Sequence, residues 1–242
     1  LQSMKALGKI KFLGLANFGY NSILNILDNT SGSAINPFGF SLGDDSLDKE
    51  KVKIVSNMVP LSLIDQRALG KMSSLCRDQG ISLMCYGCLC GGLLSDKYVG
   101  MPDPGPHMLK SPALRKYYGF IMEWGSWDLF QELLLVLKHI SEKHGFTVAQ
   151  VALKWVMDQT AVGAVIVGRS FGNIYSSGKL HFVENSNARN LKLDDDDLER
   201  IQSITCLGSN LAKSIGDIGS EFLDKSGGDD PNRTMRPAAR SR

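Results

Sequence analysis

Four short apolar segments, separated by helical patterns, set the strongest limit on what this chain can fold into. The segments cover residues 10–15, 52–56, 81–86 and 164–168. Each is rich in β-branched or bulky residues along its whole length, which is typical of parallel strands buried on both faces. Strands that alternate with helices predict an α/β fold, in which helices cover a parallel sheet.

Helical periodicity fills the segments between these strands. Apolar residues recur on one face within 20–27, 63–79 and 126–144. Gly145 is placed to end the third of these helices as its C′ residue. Thr147 and Gln150 have the spacing of a capping box, which predicts that a further helix begins there. The acidic run 194–197 predicts a helix N-terminus rather than a calcium loop.

Composition excludes several classes of protein. The 242 residues are enough for one large domain or two small ones, and a net charge of +2 is too weak to indicate nucleic-acid binding. No apolar run approaches the roughly 18 residues that a membrane helix needs. Five cysteines are too few and too sparse for a disulfide framework, so we expect a reducing, cytoplasmic location. Because the first residue is Leu rather than Met, an organelle-targeting sequence upstream stays open.

Two stretches interrupt the alternation of strands and helices. Residues 28–51 are rich in Gly, Ser, Asn and Asp and predict a long inserted loop. Residues 226–242 are polar, with Pro, Gly and Arg, and predict a disordered tail after a domain that covers 1–225.

The strand count separates the α/β architectures. A closed barrel of parallel strands needs eight βα units, and about four are visible. A doubly wound nucleotide fold carries a glycine fingerprint after its first strand, whereas 16–20 reads ANFGY. A partial barrel and an open four-stranded sheet both remain.

The stretch CYGCLCGGLL at 85–94 allows two functional interpretations. Cys85 and Cys88 are spaced as in a metal or redox site, but neither Cys76 nor Cys206 supplies a second ligand pair. The alternative is a glycine turn after a parallel strand, where exposed N–H groups meet an anion without interference from a Cβ. The second interpretation is favoured, and inert cysteines accompany it.

Several segments, in order along the chain, resemble the aldo-keto reductase family. GKIKFLGLANF at 8–18 is similar to the family's GKIRxIGLSNF, and VSNMVPLSL at 55–63 to its VSNQVxYSL. CYGCLCGGLLSDKY at 85–98 resembles AYSPLAGGLLTGKY. ALKWV at 152–156 and VIVGR at 165–169 resemble the family's ALxWxLxQ and VIVGAR segments.

The resemblance implies a TIM-barrel relative with NADPH across its C-terminal face. The four strands correspond to the fifth to eighth strands of the barrel, followed by C-terminal helices. The family transfers a hydride between NADPH and a small-molecule carbonyl or alcohol. No nucleic-acid or membrane partner is expected, and the open sheet edges allow self-association.

The resemblance also implies the cofactor-binding residues. Tyr86 would stack on the nicotinamide and Asn17 would grip its carboxamide. Around the pyrophosphate, the family uses the backbone at Gly87 and Leu89 and the ammonium of Lys97. The adenosine end would be held by the turn Gly168, Arg169 and Ser170 and by the pair Glu184 and Asn185. From the residues alone, Lys97 and Arg169 also fit ordinary surface charges and Glu184 a helix start.

The chain departs from the family pattern at both ends of the cofactor. Ala16 stands where the family has Ser and Met58 where it has Gln, so two groups that hydrogen-bond the carboxamide are replaced. One residue is missing between Gly168 and Arg169, and 173–180 is longer than usual. We therefore expect NADP binding to be weakened or lost.

The family's catalytic Asp, Tyr, Lys and His all lie upstream of the segment that 8–18 resembles, so no catalytic residue is assigned. Tyr117 and Tyr118 lie beside Lys116, but between strands rather than at a strand end. Three functions stay open: a reductase sequence without its front half, a non-catalytic half-barrel that associates with a copy of itself or another protein, and a weak NADPH-binding module.

Overall fold

A computed structural model gives the structure of the chain, and it describes residues 4, 7–28, 53–168 and 178–220. The elements that it describes, in chain order, are β1 (Leu13–Ala16), α1 (Tyr20–Asp28), β2 (Ile54–Pro60), α2 (Lys71–Asp78), β3 (Ser82–Tyr86), α3 (Gly105–Met108), α4 (Pro112–Trp124), α5 (Trp127–His144), α6 (Val148–Met157), β4 (Val162–Ile166), α7 (Gly178–Asn187) and α8 (Asp195–Thr205). Short 3-10 turns cover Cys90–Gly92, Asp96–Tyr98 and Ala188–Asn190. The predicted inserted loop, apart from its first residue, and the predicted tail lie outside the described residues.

The four strands form one sheet in the order β1-β2-β3-β4, and every neighbouring pair is parallel. This confirms the predicted α/β class and the parallel sheet. In the part of the chain that the structure describes, β1 and β4 are edge strands, each paired on one side. The arrangement is that of a partial barrel.

Strand boundaries differ from those predicted. β1 begins at Leu13 rather than at residue 10, and β2 extends past residue 56 to Pro60. β4 begins two residues early, at Val162, because Gly163 joins the strand. A Cβ on Gly163 would lie 2.9 Å from the Cβ of Ser82, so only glycine lets β4 approach β3 this closely.

The helix predicted over 63–79 is shorter in the structure. Ser62 and Asp65 close a turn, in which the Asp65 amide donates to the Ser62 hydroxyl at 3.1 Å and the Ser62 amide to the Asp65 carbonyl at 3.0 Å. Gly70, at φ 70°, then precedes α2. The turn uses backbone groups that a helix would need.

α4 was not identified as a helix from its sequence, although its start has a standard signature. The Ser111 hydroxyl accepts from the Leu114 amide at 3.1 Å, and Pro112 occupies the first helical position. The predicted ends of other helices are confirmed. Gly145 ends α5 at φ 72°, and Thr147 and Gln150 form both hydrogen bonds of the capping box.

The two faces of the sheet differ. β3 alternates, with Leu83 and Cys85 fully buried among the helices and Ser82 and Met84 exposed on the other side. α2 contacts β3 and α6 contacts β4, so the helices that contact the sheet cover the Leu83 side. No helix among the described residues has the length and apolarity to cross a membrane.

Candidate functional site

The carboxyl ends of β1 and β3 bring together two residues predicted to face the nicotinamide. Asn17 directly follows β1, and Tyr86 is the last residue of β3. The Tyr86 hydroxyl donates a hydrogen bond of 2.8 Å to Asn17 Oδ1, and both residues are half-buried. Side chains that are 69 residues apart therefore form one polar pair at the sheet edge where barrel ligands bind.

Asn17 is held in position by its contacts with β2. Its φ of 60° lies in the left-handed region, which Asn tolerates better than most residues. Its amide donates to the Met58 carbonyl at 2.8 Å. The fully buried side chain of Asn57 donates from Nδ2 to the Phe18 carbonyl at 2.8 Å. Asn57 was not among the predicted site residues, and the signal that could have identified it is a polar amide within an apolar strand.

The glycines of the turn after β3 also have a packing role, which the sequence did not predict. Gly87 and Gly91 have φ of 73° and 68°, which favours glycine. Their missing side chains leave room for the Tyr117 ring, since a Cβ on Gly87 would collide with the Tyr117 hydroxyl and one on Gly91 would lie 2.9 Å from its Cδ2. Tyr117 belongs to α4, yet its hydroxyl reaches the end of β3. The expectation that it lies away from strand ends therefore holds for its backbone and is wrong for its side chain.

The same turn presents backbone donors. The amides of Cys88 and Leu89 donate to no other described residue, whereas the Cys90 amide donates to the Gly87 carbonyl at 2.9 Å. Leu89 has φ of −103° and Cys90 of +49°, a succession of right- and left-handed residues that forms anion-binding nests. Gly92 has open space where its Cβ would be. The amides of Cys88 and Leu89 are outside the turn's own hydrogen bonds, whereas the middle amide of this nest, that of Cys90, is already used.

The cysteines of this turn are chemically quiet. Burial raises the pKa of Cys85, Cys88 and Cys90 to about 12 each, so all three stay thiols at neutral pH. Cys88 Sγ donates to the Cys85 carbonyl at 3.3 Å, and Cys90 Sγ to the Ser62 hydroxyl at 3.6 Å. These contacts favour a packing role over redox or metal chemistry.

Lys97 lies in the 3-10 turn Asp96–Tyr98 and is exposed. Its ammonium lies 5.1 Å from the centroid of the Tyr98 ring. The neighbouring Asp96 accepts from the Val148 amide at 3.0 Å and from Lys138 Nζ at 3.2 Å, which ties this turn to α5 and α6. Lys97 is thus a cation on a fixed turn.

The residues predicted for the adenosine end are only partly described. Gly168 is exposed, and Arg169 and Ser170 lie outside the described residues. Glu184 lies inside α7, not at a helix start, and its carboxylate accepts from the Thr147 hydroxyl at 2.8 Å. That contact links α7 to the start of α6. Asn185 is half-buried beside it.

The chain's last described segment, residues 209–220, returns to the carboxyl edge of the sheet, which the sequence did not predict. Arg67 donates to the Gly216 carbonyl at 3.1 Å and makes a two-pronged ion pair with Asp65, at 2.8 and 2.9 Å. The side chains of Arg67 and Asp65 are 1% and 4% exposed. A Cβ on Gly219 would collide with the Asn17 carbonyl, so this C-terminal segment lies against the loop that holds Asn17.

A second polar cluster lies at the C-terminal end of α5. His144, Asp194 and Asp197 have ligand atoms within 4.8 Å of one another. Lys143 Nζ occupies the cluster, at 2.6 Å from Asp194 Oδ2 and 2.8 Å from Asp197 Oδ1, while His144 Nε2 lies 2.6 Å from Asp197 Oδ2. Burial alone would raise the pKa of Asp197, but hydrogen bonds from Lys143, the Asp194 backbone and His144 lower it. The cluster joins α5 to the N-terminus of α8.

Solved structures share this fold. The chain superposes on the thermostable aldo-keto reductase Tm1743, crystallised with the inhibitor epalrestat, with a TM-score of 0.52, 18% identity and coverage of 84% of this chain and 51% of the other. The glycerol dehydrogenase AKR11B4 from Gluconobacter oxydans gives a TM-score of 0.55, 18% identity and coverage of 89% and 53%. At this identity the likeness shows the fold alone.

Sequence comparison identifies relatives and a family for this chain. Flagellar radial spoke protein 5 of Chlamydomonas reinhardtii is 33% identical over 129 residues, which are 50% of this chain and 24% of the relative. Protein tas of Escherichia coli (strain K12) is 22% identical over 201 residues, 81% of this chain and 48% of the relative. The chain thus spans half or less of these relatives. The sequence model of the Aldo/keto reductase family matches residues 1–205, and the chain belongs to that family.

Proposed function

We propose that this chain is the nucleotide-binding half of an aldo-keto reductase, which holds NADP(H) at the carboxyl edge of its sheet and performs no hydride transfer by itself. NADP(H), when bound, supplies the hydride of the family's carbonyl reduction. The observation that carries the proposal is the hydrogen bond of 2.8 Å between Tyr86 and Asn17, because the family resemblance assigns both residues to the nicotinamide end of the cofactor.

The chain's own groups fit the cofactor in part. Asn17 retains its amide nitrogen as a donor, because its Oδ1 already accepts from Tyr86. The amides of Cys88 and Leu89 suit a pyrophosphate oxygen. Lys97 supplies a cation from the 3-10 turn Asp96–Tyr98, which follows along the chain. Ala16 and Met58 offer no hydrogen bond to the carboxamide. The expected affinity is therefore below that of an intact family member.

We infer that the chain transfers no hydride by itself because no described residue is an activated proton donor. The family's catalytic residues precede the segment resembled by 8–18, and Tyr117 is a poor substitute. Burial, reinforced by nearby Cys90 and Tyr86, raises the Tyr117 pKa, whereas a general acid works best with a pKa near the operating pH. Lys116 Nζ lies over the Tyr117 ring, 5.5 Å from its centroid, in a cation–π contact with the face of the ring.

A titration of the full chain with NADPH, followed by cofactor fluorescence, tests the binding claim. We expect saturable binding that Arg169→Ala weakens by about tenfold or more, since hydrogen bonds to charged groups contribute about 1.5–3 kcal/mol. Arg189→Ala, at an exposed arginine, is the matched control and should leave the affinity unchanged. A flat titration up to millimolar NADPH would contradict the proposal.

A second function, association through the open sheet, is favoured by the edges of β1 and β4. Within the described residues each of these strands leaves one row of backbone N–H and C=O groups without a sheet partner. Such parallel edges pair readily with another strand. This function and cofactor binding are compatible, because the Tyr86–Asn17 pair lies at the carboxyl ends of β1 and β3 and not along the outer sides of β1 and β4.

A further inference from the structure

Among the described residues, one face of the sheet lacks the helical cover that the other face has. This inner face is formed by Ala16, Met58, Pro60, Met84, Tyr86, Ala164 and Ile166, together with Gly14, Ser56 and Ser82. Met84 and Ile166 are 36% and 38% exposed, and Ala16 and Ala164 are exposed too. No member of the inner face is charged. A contiguous apolar face of this kind marks an interaction surface.

Parallel sheets are almost always covered on both faces, because their connections place layers of structure on each side. In this sheet the helices that the structure describes bury the face of Leu83 and Cys85 and leave Met84 and Ile166 exposed. The edges of β1 and β4 also indicate an interaction surface, since each of these strands has one side without a strand partner among the described residues. An occupant of the inner face must therefore also satisfy two strand edges at once.

A second copy of the chain can cover the inner face and pair with the open edges of both β1 and β4. A two-fold rotation about the axis of the partial barrel sets β4 of one copy beside β1 of the other, in parallel, and does so twice. Eight parallel strands then close, which is the strand number of the stable barrel. Because the inner face is uncharged, identical faces meet without repulsion between like charges. Met58 and Met84, which pair across β2 and β3, have the flexible side chains that fill such an interior.

We infer that the inner face is the docking surface for a second copy of this chain, so that two half-barrels close one eight-stranded barrel. This deepens the association proposed above and rests on it. Both Tyr86–Asn17 pairs would then open at the same mouth of the barrel, and each copy would keep its own cofactor site.

Sedimentation of the full chain at micromolar concentration tests the inference. We expect twice the chain's mass for the wild type and the mass of one chain for Met84→Lys and Ile166→Lys, because a buried lysine opposes closure. Met122→Lys and Leu198→Lys, at helix residues 41% and 38% exposed, are matched controls and should remain dimeric. Circular dichroism checks that every variant is folded.

Oxidation of methionines by peroxide, read by mass spectrometry, locates the surface. In the wild type Met84 should oxidise at least fivefold more slowly than Met108, which is 75% exposed, and Ile166→Lys should remove that protection. A wild-type monomer would overturn the inference, whether its inner face is open or covered by the chain itself. So would a stable complex formed only with a separately supplied front half-barrel, or a dimer that both lysine variants leave intact.

The NADPH titration on the same samples keeps the two proposals apart. A dimer that binds no NADPH would contradict the nucleotide-binding role and leave the docking surface intact. A monomer that binds NADPH would overturn only the docking surface.

Discussion

The hydroxyl of Tyr117 fills the space in which a side chain on Gly87 would lie. Gly87 comes directly after β3, and Tyr117 belongs to α4, so this contact sets the helix against the turn that presents the backbone donors of Cys88 and Leu89. Position 87 must be glycine because Tyr117 packs against it. This packing in turn holds the backbone of the turn in the conformation that presents its amides.

Gly87→Ala is therefore expected to lower the free energy of unfolding by about 2–5 kcal/mol, the sum of left-handed strain and overpacking. Urea denaturation measures it. Gly100→Ala is the matched control, because Gly100 has φ of 71° and open space at its Cβ position. It should cost only about 1–2 kcal/mol. Equal losses for the two variants would mean that Tyr117 moves aside freely.

Tyr86→Phe keeps the ring and removes the hydroxyl that orients Asn17. Since one neutral hydrogen bond contributes about 0.5–1.5 kcal/mol, NADPH affinity should fall about two- to tenfold, as measured by fluorescence titration. Tyr118→Phe removes a hydroxyl that bonds Asp103 at 3.0 Å in another loop and should leave the affinity unchanged. Tighter binding by Tyr86→Phe would show that the hydroxyl competes with the cofactor for Asn17.

Asp65→Ala removes one partner of a buried ion pair. Arg67 would keep its charge in a site where its side chain is 1% exposed, so we expect the free energy of unfolding to fall by about 3–5 kcal/mol. Limited proteolysis should also cut within 209–220 sooner, because Arg67 anchors Gly216. Asp78→Ala breaks a pair with Arg77 in which both side chains are 60% exposed, and should cost about 0–1 kcal/mol.

Acid should weaken the contact between α5 and α8. The Lys143 ammonium, with the Asp197 amide, lowers the pKa of Asp194 to about 2. An Asp in the unfolded chain has a pKa of about 3.9, so this contribution is present above about pH 4 and is lost as the pH falls towards 2.

Lys143→Gln should consequently move the midpoint of acid unfolding, followed by circular dichroism, to higher pH. Lys192→Gln, at an exposed lysine before α8, should leave that midpoint in place. An unchanged midpoint for Lys143→Gln would show that Lys143 has no part in acid stability.

Alkylation of the folded chain should distinguish the exposed cysteine from the four buried ones by its rate of labelling. Cys206 is exposed, whereas Cys76, Cys85, Cys88 and Cys90 are buried. Burial raises the Cys76 pKa to about 11 and those of the other three to about 12. Iodoacetamide at pH 8 should add one group per folded chain, and none in Cys206→Ser, as read by mass spectrometry. Fast labelling of Cys88 or Cys90 would reopen a redox role.

Local sequence rules predicted the features that depend on near neighbours. The Thr147–Gln150 capping box, the Gly145 helix end and the Asp194 helix start each involve residues within four positions, and each is confirmed. The parallel sheet followed from the alternation of apolar segments with helical patterns. The expected burial of each strand on both faces does not hold for β3, which alternates buried and exposed residues.

Contacts across long sequence separations were not predictable. The Arg67–Gly216 hydrogen bond joins residues that are 149 positions apart, and the sequence around neither residue predicts it. Sequence position places the Tyr117 backbone between strands, whereas its side chain reaches the end of β3. Asn17 and Tyr86 were paired only through the family resemblance, since their spacing of 69 residues has no local meaning.

The most direct test of the account is NADPH oxidation, followed by absorbance at 340 nm, by the full chain with a broad panel of aldehydes at saturating cofactor. We expect the rate to equal that of buffer alone, because the chain holds the cofactor without an activated proton donor. Turnover above buffer that Tyr117→Phe abolishes would contradict the account and would make Tyr117 the chain's own acid.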